Sequence, residues 1–189
     1  MPDLAARART LLALHAAPEI LIGANVRDVV SATVVAGTPG VRALATASHS
    51  IAVTFGYEDG ENIPLELHLG MVEPIVRAVD VPVTMDVEGG YGDAGETARR
   101  AIAAGVVGGN LEDQLEPLDD AVVDALGPRK PTGISVPGAS LPARQLQEFG
   151  VARVSTGPFT QRVALTALRD ATAATVAGGT LPESTLALN

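Results

Sequence analysis

Short runs of β-branched residues alternate with alanine-rich segments of helical period along most of this chain, and that alternation admits few folds. The runs lie near 20–24 (ILIGA), 42–47 (RALATA), 82–87 (PVTMDV), 106–111 (VVGGNL), 132–136 (TGISV) and 151–155 (VARVS). Helices are predicted near 3–15, 27–36, 64–79, 94–104, 118–126, 141–148 and 160–176. A strand that reaches the next one through a helix crosses over and runs parallel to it. The expectation is therefore a parallel α/β sheet in one domain, 1–189, with no connection that reads as an interdomain linker.

Local signals sharpen some boundaries. Asp93 can cap the helix that starts at 94, Glu96 stands at the capping-box spacing, and Gly105 stops it. Pro64 suits a first helical turn, whereas Pro74 is expected to kink or split its helix. Composition sets the outer limits. The chain has 189 residues, of which 47% are hydrophobic and 19% charged, enough for one sizeable core. No run approaches the roughly 18 apolar residues a bilayer demands, and the basic-then-apolar order of a signal peptide is missing, so a cytoplasmic protein is expected. Without cysteine there is no disulfide framework, thiolate metal site or cysteine nucleophile. A net charge of −9 disfavours nucleic acid and anionic membrane as partners. Lys130, in a "GPRKP" turn, is a poor candidate for Schiff-base chemistry.

One stretch carries chemistry. In "PVTMDVEGGYGD", residues 82–93, a strand ends on Asp86 and Glu88, where unpaired charge is costly to bury. The next strand repeats the pattern, ending "GGNLEDQ" with Glu112 and Asp113. Strand C-termini of a parallel sheet or barrel open on one face, so Asp86, Glu88 and Glu112 should converge there. Three carboxylates around an open position suit a hard divalent cation, Mg2+ with Mn2+ as substitute. The plainer reading is that Glu88, Glu112 and Asp113 are solvated loop acids or helix caps. Gly89, Gly90 and Gly92 allow close backbone approach to a ligand, or simply a tight turn. A second cluster, "ATASHSIAVTFGYEDG", offers small residues at a strand end whose N–H groups could hold an anion, with Ser48 and His49 as candidates. Asp59 reaches the same mouth as a fourth acid, or closes an Asx turn. His15 and His68 read as structural.

These segments have a family look. "PVTMDVEGGYGD" and "GVVGGNLEDQ", with "ALATASHSIAVTFGYEDGE" upstream and "EFGVARVSTGP" downstream, resemble the isocitrate lyase and phosphoenolpyruvate mutase superfamily, in particular its phosphonomutase-like and oxaloacetate-decarboxylase-like members. The resemblance runs from about Leu11 to Ala174. It implies a (β/α) TIM-type barrel, a tetramer with a helix exchanged between subunits, and a Mg2+-dependent site. The implied chemistry breaks or rearranges a C–C or C–P bond beside a 2-oxo acid through a metal-stabilised enolate. Carried over, Asp86 ligates the metal directly, while Glu88 and Glu112 hold it directly or through water. Ala47, Ser48 and His49 contact the anionic end of a small 2-oxo acid or phosphonate, and Asp59 lies in a mobile loop near the reacting group.

Two departures bear on function. Isocitrate and methylisocitrate lyases carry a catalytic cysteine in a KKCGH-like segment, so those two activities are not expected. An "ARTD"-like segment, whose arginine grips the substrate in the family, is not found either. From "LEDQLEPLDDAVVDALGPRKPTGISV" the chain passes to what resembles the seventh strand, about two βα units short of a typical barrel. Of Arg27, Arg129, Arg144 and Arg162, Arg27 follows a strand end in "GANVRD" and is the one placed to substitute. The reading is thus a Mg2+-dependent lyase or mutase on an incomplete barrel. The alternative is a catalytically silent barrel that serves as a binding or oligomeric scaffold.

Overall fold

The computed structural model describes residues 3–112, 132–148 and 150–187. Within them, the apolar runs become six parallel strands: β1 (Leu21–Val26), β2 (Leu44–Thr46), β3 (Val83–Asp86), β4 (Gly108–Asn110), β5 (Thr132–Ile134) and β6 (Arg153–Ser155). Their order is β4-β3-β2-β1-β6-β5, an arc of a (β/α) barrel in which β1 is central and β4 and β5 are the ends. Each strand matches a predicted one; five are shorter than expected, whereas β1 runs two residues past the predicted end, to Val26. Seven helices are described: α1 (Leu4–Ala16), α2 (Val29–Ala36), α3 (Ser48–Thr54), α4 (Leu65–Ala78), α5 (Ala94–Ala103), α6 (Ala143–Glu148) and α7 (Phe159–Val176). The helix predicted at 118–126 lies outside the described residues. None of the described helices is long and apolar enough to cross a membrane.

Strand side chains alternate between faces, and the two faces have different work. Leu44, Val83 and Met85 join Ile51 of α3, Val72 and Ile75 of α4 and Ala101 of α5 in the main core. Each such large side chain, fully withdrawn from water, contributes about 1.5–3 kcal/mol of transfer free energy. Thr84 and Asp86 alternate with them and face the concave side of the arc. A smaller cluster of Leu11, Leu21 and Ala43 brings α1 against the sheet. Arg7, only 7% exposed, ties α1 down by donating to the carbonyls of Val76 and Val79, which the end of α4 leaves without helical partners.

Asn25 fastens the two sides of the arc at its central strand. Its side-chain amide donates to Thr46 O (2.8 Å), and its Oδ1 accepts from Thr156 N (2.8 Å) and Gly157 N (2.9 Å). One buried side chain thus links β2, β1 and the turn after β6.

Helix ends follow the local signals with three differences. α2 begins at Val29 rather than 27 because Asp28 and Ser31 form a reciprocal capping box. Asp93 accepts from Glu96 N (2.9 Å), but the Glu96 side chain turns to Arg99, so only half of the expected box forms at α5. Pro74 does not split α4, since Leu69 and Val72 on one side of it and Ile75 and Val76 on the other are all buried in the core. Pro64 stands as the N-cap of that helix.

Candidate functional site

The C-terminal ends of β2, β3 and β4 build an acidic mouth. Parallel register sets Asp86 beside Asn110, with Thr84 one step back on the same face. Asp86 accepts from the Ser48 hydroxyl (3.0 Å), through Oδ2, and from Glu88 N (3.2 Å), through Oδ1. Its own N–H donates to Thr46 Oγ1 (3.1 Å). The Asp86 carboxyl is held above its usual range, first by burial and then by the charge of Glu112, against the opposing pull of the Glu88 N–H and of the Ser48 hydroxyl and N–H.

Glu88 is 2% exposed and has φ 51°. Its Oε2 accepts from Glu61 N and its Oε1 from the Tyr91 hydroxyl (3.0 Å). Burial also raises this carboxyl, with the charges of Asp59 and Asp86 adding to it. Glu112 lies on the exposed rim, where its N–H donates to Glu88 O (2.7 Å). Asp86, Glu88, Glu112 and Asp59 are therefore brought into one electrostatic neighbourhood.

Of the other candidates, Ser48 joins this mouth directly, whereas Arg27 is not brought to its acids. Ala47 is buried at the start of α3, and its N–H is spent on Val26 O (3.2 Å). Ser48, 4% exposed, turns its hydroxyl and N–H to Asp86. His49 is half-buried, with Nδ1 buried and without a partner. Arg27 pairs with Asp28 (3.4 Å) and lines a cavity of about 320 Å³ between α2 and α7. Asp113 and Arg129 lie outside the described residues.

Three residues of the neighbourhood, Arg153, Tyr91 and Glu61, were not singled out by sequence, and His68 was read only as structural. Arg153, 6% exposed, extends from β6 across the concave face to Thr84 Oγ1 (3.0 Å) and to Asn110 Oδ1 (3.5 Å). Burial lowers its basicity, and the negative charge of Asp86 opposes that. The signal available was an arginine inside an apolar strand, facing Gly23, whose missing side chain leaves the passage open. Tyr91, Glu61 and His68 form a second group. Tyr91 N donates to Glu61 Oε1 (2.6 Å), and His68 Nδ1 lies 2.9 Å from the Tyr91 hydroxyl. With the tyrosine proton given to Glu88, His68 Nδ1 is the donor to the tyrosine oxygen, and its Nε2 is left buried and unpartnered. Burial brings the His68 pKa down to about 4, so the ring is neutral, and it pushes the Tyr91 hydroxyl up, aided by Glu88. His68 is thus structural, as expected, but attached to the mouth.

Among the described residues, no three His, Cys, Asp or Glu side chains close into a group able to hold a metal ion. The donor set is nevertheless all oxygen and anionic. Among those residues neither Asp86 nor Glu88 forms an ion pair. That chemistry fits a hard cation that keeps waters and substrate oxygens rather than one held in a protein cage.

Comparison with known proteins bears on the fold and the family. The family model described as phosphoenolpyruvate phosphomutase matches residues 11–129. A candidate phosphonomutase from Burkholderia cenocepacia J2315 superposes with a TM-score of 0.76 at 29% identity, over 87% of this chain and 98% of its own. A candidate lyase/mutase from the same organism gives 0.78 at 25% identity, over 90% and 87%. Oxaloacetate acetylhydrolase, solved with its product oxalate, shares the fold at TM-score 0.81 and 17% identity, over 94% of this chain and 89% of that one. A search of curated protein sequences returned no match. With its family segment spanning α1 to past the second acidic motif, and the same parallel arc beneath it, the chain belongs to the phosphoenolpyruvate phosphomutase family of lyase- and mutase-type enzymes.

Proposed function

We propose that the protein is a Mg2+-dependent lyase or mutase that cleaves or rearranges a C–C or C–P bond of a small 2-oxo acid or phosphonate through an enolate. The observation that carries this reading is the placement of Asp86, Glu88 and Glu112 at adjacent strand ends, with Asp86 half-buried, Glu88 buried and both raised in pKa. When bound, a divalent cation supplies the positive charge that stabilises a developing enolate. Asp86 would hold it directly, and Glu88 and Glu112 directly or through water.

The chain's own groups supply the rest. Ser48 fixes the Asp86 carboxylate through its hydroxyl and N–H. Thr46 orients the backbone beneath it. By the family resemblance, Asp59 is assigned near the reacting group and Ala47, Ser48 and His49 to the substrate's anionic end, and Arg27 would have to leave Asp28 to join them. Membership in the family and the named chemistry of the similar proteins support the assignment.

The test is thermal denaturation with and without Mg2+ or Mn2+, followed by an assay of oxaloacetate, 2-methylisocitrate and phosphonopyruvate with pyruvate release or phosphorus NMR as readout. Metal should raise the melting temperature, and Asp86→Ala should abolish the rise. Asp86-dependent turnover of at least one acid is expected. Equal metal shifts in wild type and Asp86→Ala would end the metal assignment. A metal shift without turnover would support the silent scaffold instead.

A further inference from the structure

We propose that Glu61 is a positioning residue that fastens the loop carrying Asp59 to the carboxylate of Glu88, so that closure of the loop and the aim of Glu88 are set together. The proposal rests on the metal-dependent reading above. Its starting point is the backbone. Among the described residues, the non-glycine positions with positive φ are Glu61 (61°), Glu88 (51°) and Tyr91 (54°). Glutamate and tyrosine seldom adopt that region, because their Cβ crowds the following carbonyl.

These three residues are bonded to one another in a closed ring. Glu61 N–H donates to Glu88 Oε2, Tyr91 N–H donates to Glu61 Oε1 (2.6 Å), and the Tyr91 hydroxyl donates to Glu88 Oε1 (3.0 Å). Strained backbone persists where the surroundings over-determine it, and here each member over-determines the others. His68 buttresses the ring from α4. Gly89 makes room for it, since a Cβ there would lie 3.2 Å from Glu61 Oε1.

The choice of residue at 61 is informative. Gly60, with φ 90°, precedes it and Asn62 follows it, so residues that tolerate a left-handed turn are present on both sides. A turn alone would be better served by one of those types at 61. A glutamate in the strained position contributes its carboxylate, and that carboxylate grips the segment after Glu88. Both oxygens of Glu88 are then oriented from two sides, by the Asp59 loop through Glu61 N and by the β3–α5 connection through Tyr91. Anything that draws on Glu88 pulls on the loop, and anything that moves the loop turns Glu88.

The experiment uses the full chain in five forms: wild type, Glu61→Ala, Glu61→Gln, Tyr91→Phe and Asp86→Ala. Mn2+ affinity is read by calorimetry, and hydrogen exchange of amides 57–62 is followed with and without Mn2+. Glu61→Ala should weaken Mn2+ binding about tenfold, the scale of losing a group that orients a ligand. It should also speed exchange at 57–62. Glu61→Gln keeps an oxygen that accepts from Tyr91 N, and should return both readouts close to wild type. Tyr91→Phe leaves the Glu61 contacts in place and should weaken Mn2+ while barely changing loop exchange. Mn2+ should slow exchange of 57–62 in wild type and leave it unchanged in Glu61→Ala, a coupling that a merely structural turn lacks. Wild-type Mn2+ affinity in a folded Glu61→Ala, or wild-type loop exchange indifferent to Mn2+, would overturn the proposal. Wild type that binds Mn2+ no better than Asp86→Ala would instead overturn the metal reading, and this proposal with it.

Discussion

Replacing Gly23 by alanine probes the arginine that crosses the concave face. A Cβ at Gly23 lies 3.0 Å from Arg153 Nε and 3.4 Å from its Nη2, and 3.4 Å is where ordinary contact begins. Arg153 must retreat by about 0.4 Å, yet Nη2 is held by Thr84 Oγ1 at 3.0 Å and Nη1 reaches Asn110 Oδ1 at 3.5 Å. Overpacking of this kind costs about 1–3 kcal/mol. Loss of glycine's freedom in the unfolded chain returns about 0.4–1 kcal/mol, because φ at Gly23 is not in the left-handed region. The net loss is at most about 2.6 kcal/mol and centres on about 1.3 kcal/mol, or about 3–5 °C in melting temperature for a chain of this size. Calorimetric melts of a double-mutant cycle with Arg153→Met decide the matter. Methionine is flexible enough to yield the space, so in its background Gly23→Ala should be neutral or slightly stabilising. Equal destabilisation in both backgrounds would show that the guanidinium does not occupy the space over Gly23.

Two further outcomes are expected. His68, fully buried, is neutral in the folded protein down to about pH 4, whereas in the unfolded chain it takes a proton near its ordinary 6.5. Stability is therefore intact above 6.5 and is lost as pH falls toward about 4, by about 3 kcal/mol in total. Asp86 and Glu88 act with the opposite sign, because their raised carboxyls take up protons first in the folded state. Denaturant melts of wild type and His68→Gln between pH 7 and 4 isolate the histidine, and a difference that does not change with pH would contradict it. Glu112→Gln should weaken Mg2+ binding less than Asp86→Ala, because Glu112 sits on the exposed rim while Asp86 is half-buried at the strand end. Calorimetric titration showing the reverse order would exchange their roles.

Much of the arc was legible because its signals are local. Val83 and Met85 alternate with Thr84 and Asp86 in sequence as they do across the sheet, and Asp93 and Gly105 mark the ends of α5 by their own chemistry. α3 was not foreseen. Its "SHSIAVT" is β-branched and follows small residues, and Ala47 caps it without a side-chain bond, so nothing in the segment announces a helix. Burial of Ile51 and Ala52 in the main core decides its conformation. Arg153 escaped for a related reason. Its partner Thr84 is 69 residues away, and no pattern within "VARVS" says what a side chain meets across the sheet. Glu61 was hidden because its role depends on a left-handed backbone that glutamate rarely adopts. The acids were found at the strand ends by type and spacing, but which oxygen each hydrogen bond engages is a tertiary fact.

The fastening at Asn25 also sets an order of events on the ribosome. β1, β2, β3 and β4 can pair successively as they emerge, and the ends that carry Asp86 and Glu88 come with them. The other edge of β1 waits for β6, whose following turn supplies Thr156, 131 residues further along. Until then the nascent chain presents an open, apolar strand edge and an unfilled amide at position 25, and slow non-local closure is the stage at which such chains associate wrongly. Yield in the cell should accordingly depend on how long that edge stays open, and a pause in translation before β6 would be more harmful than the same pause after it.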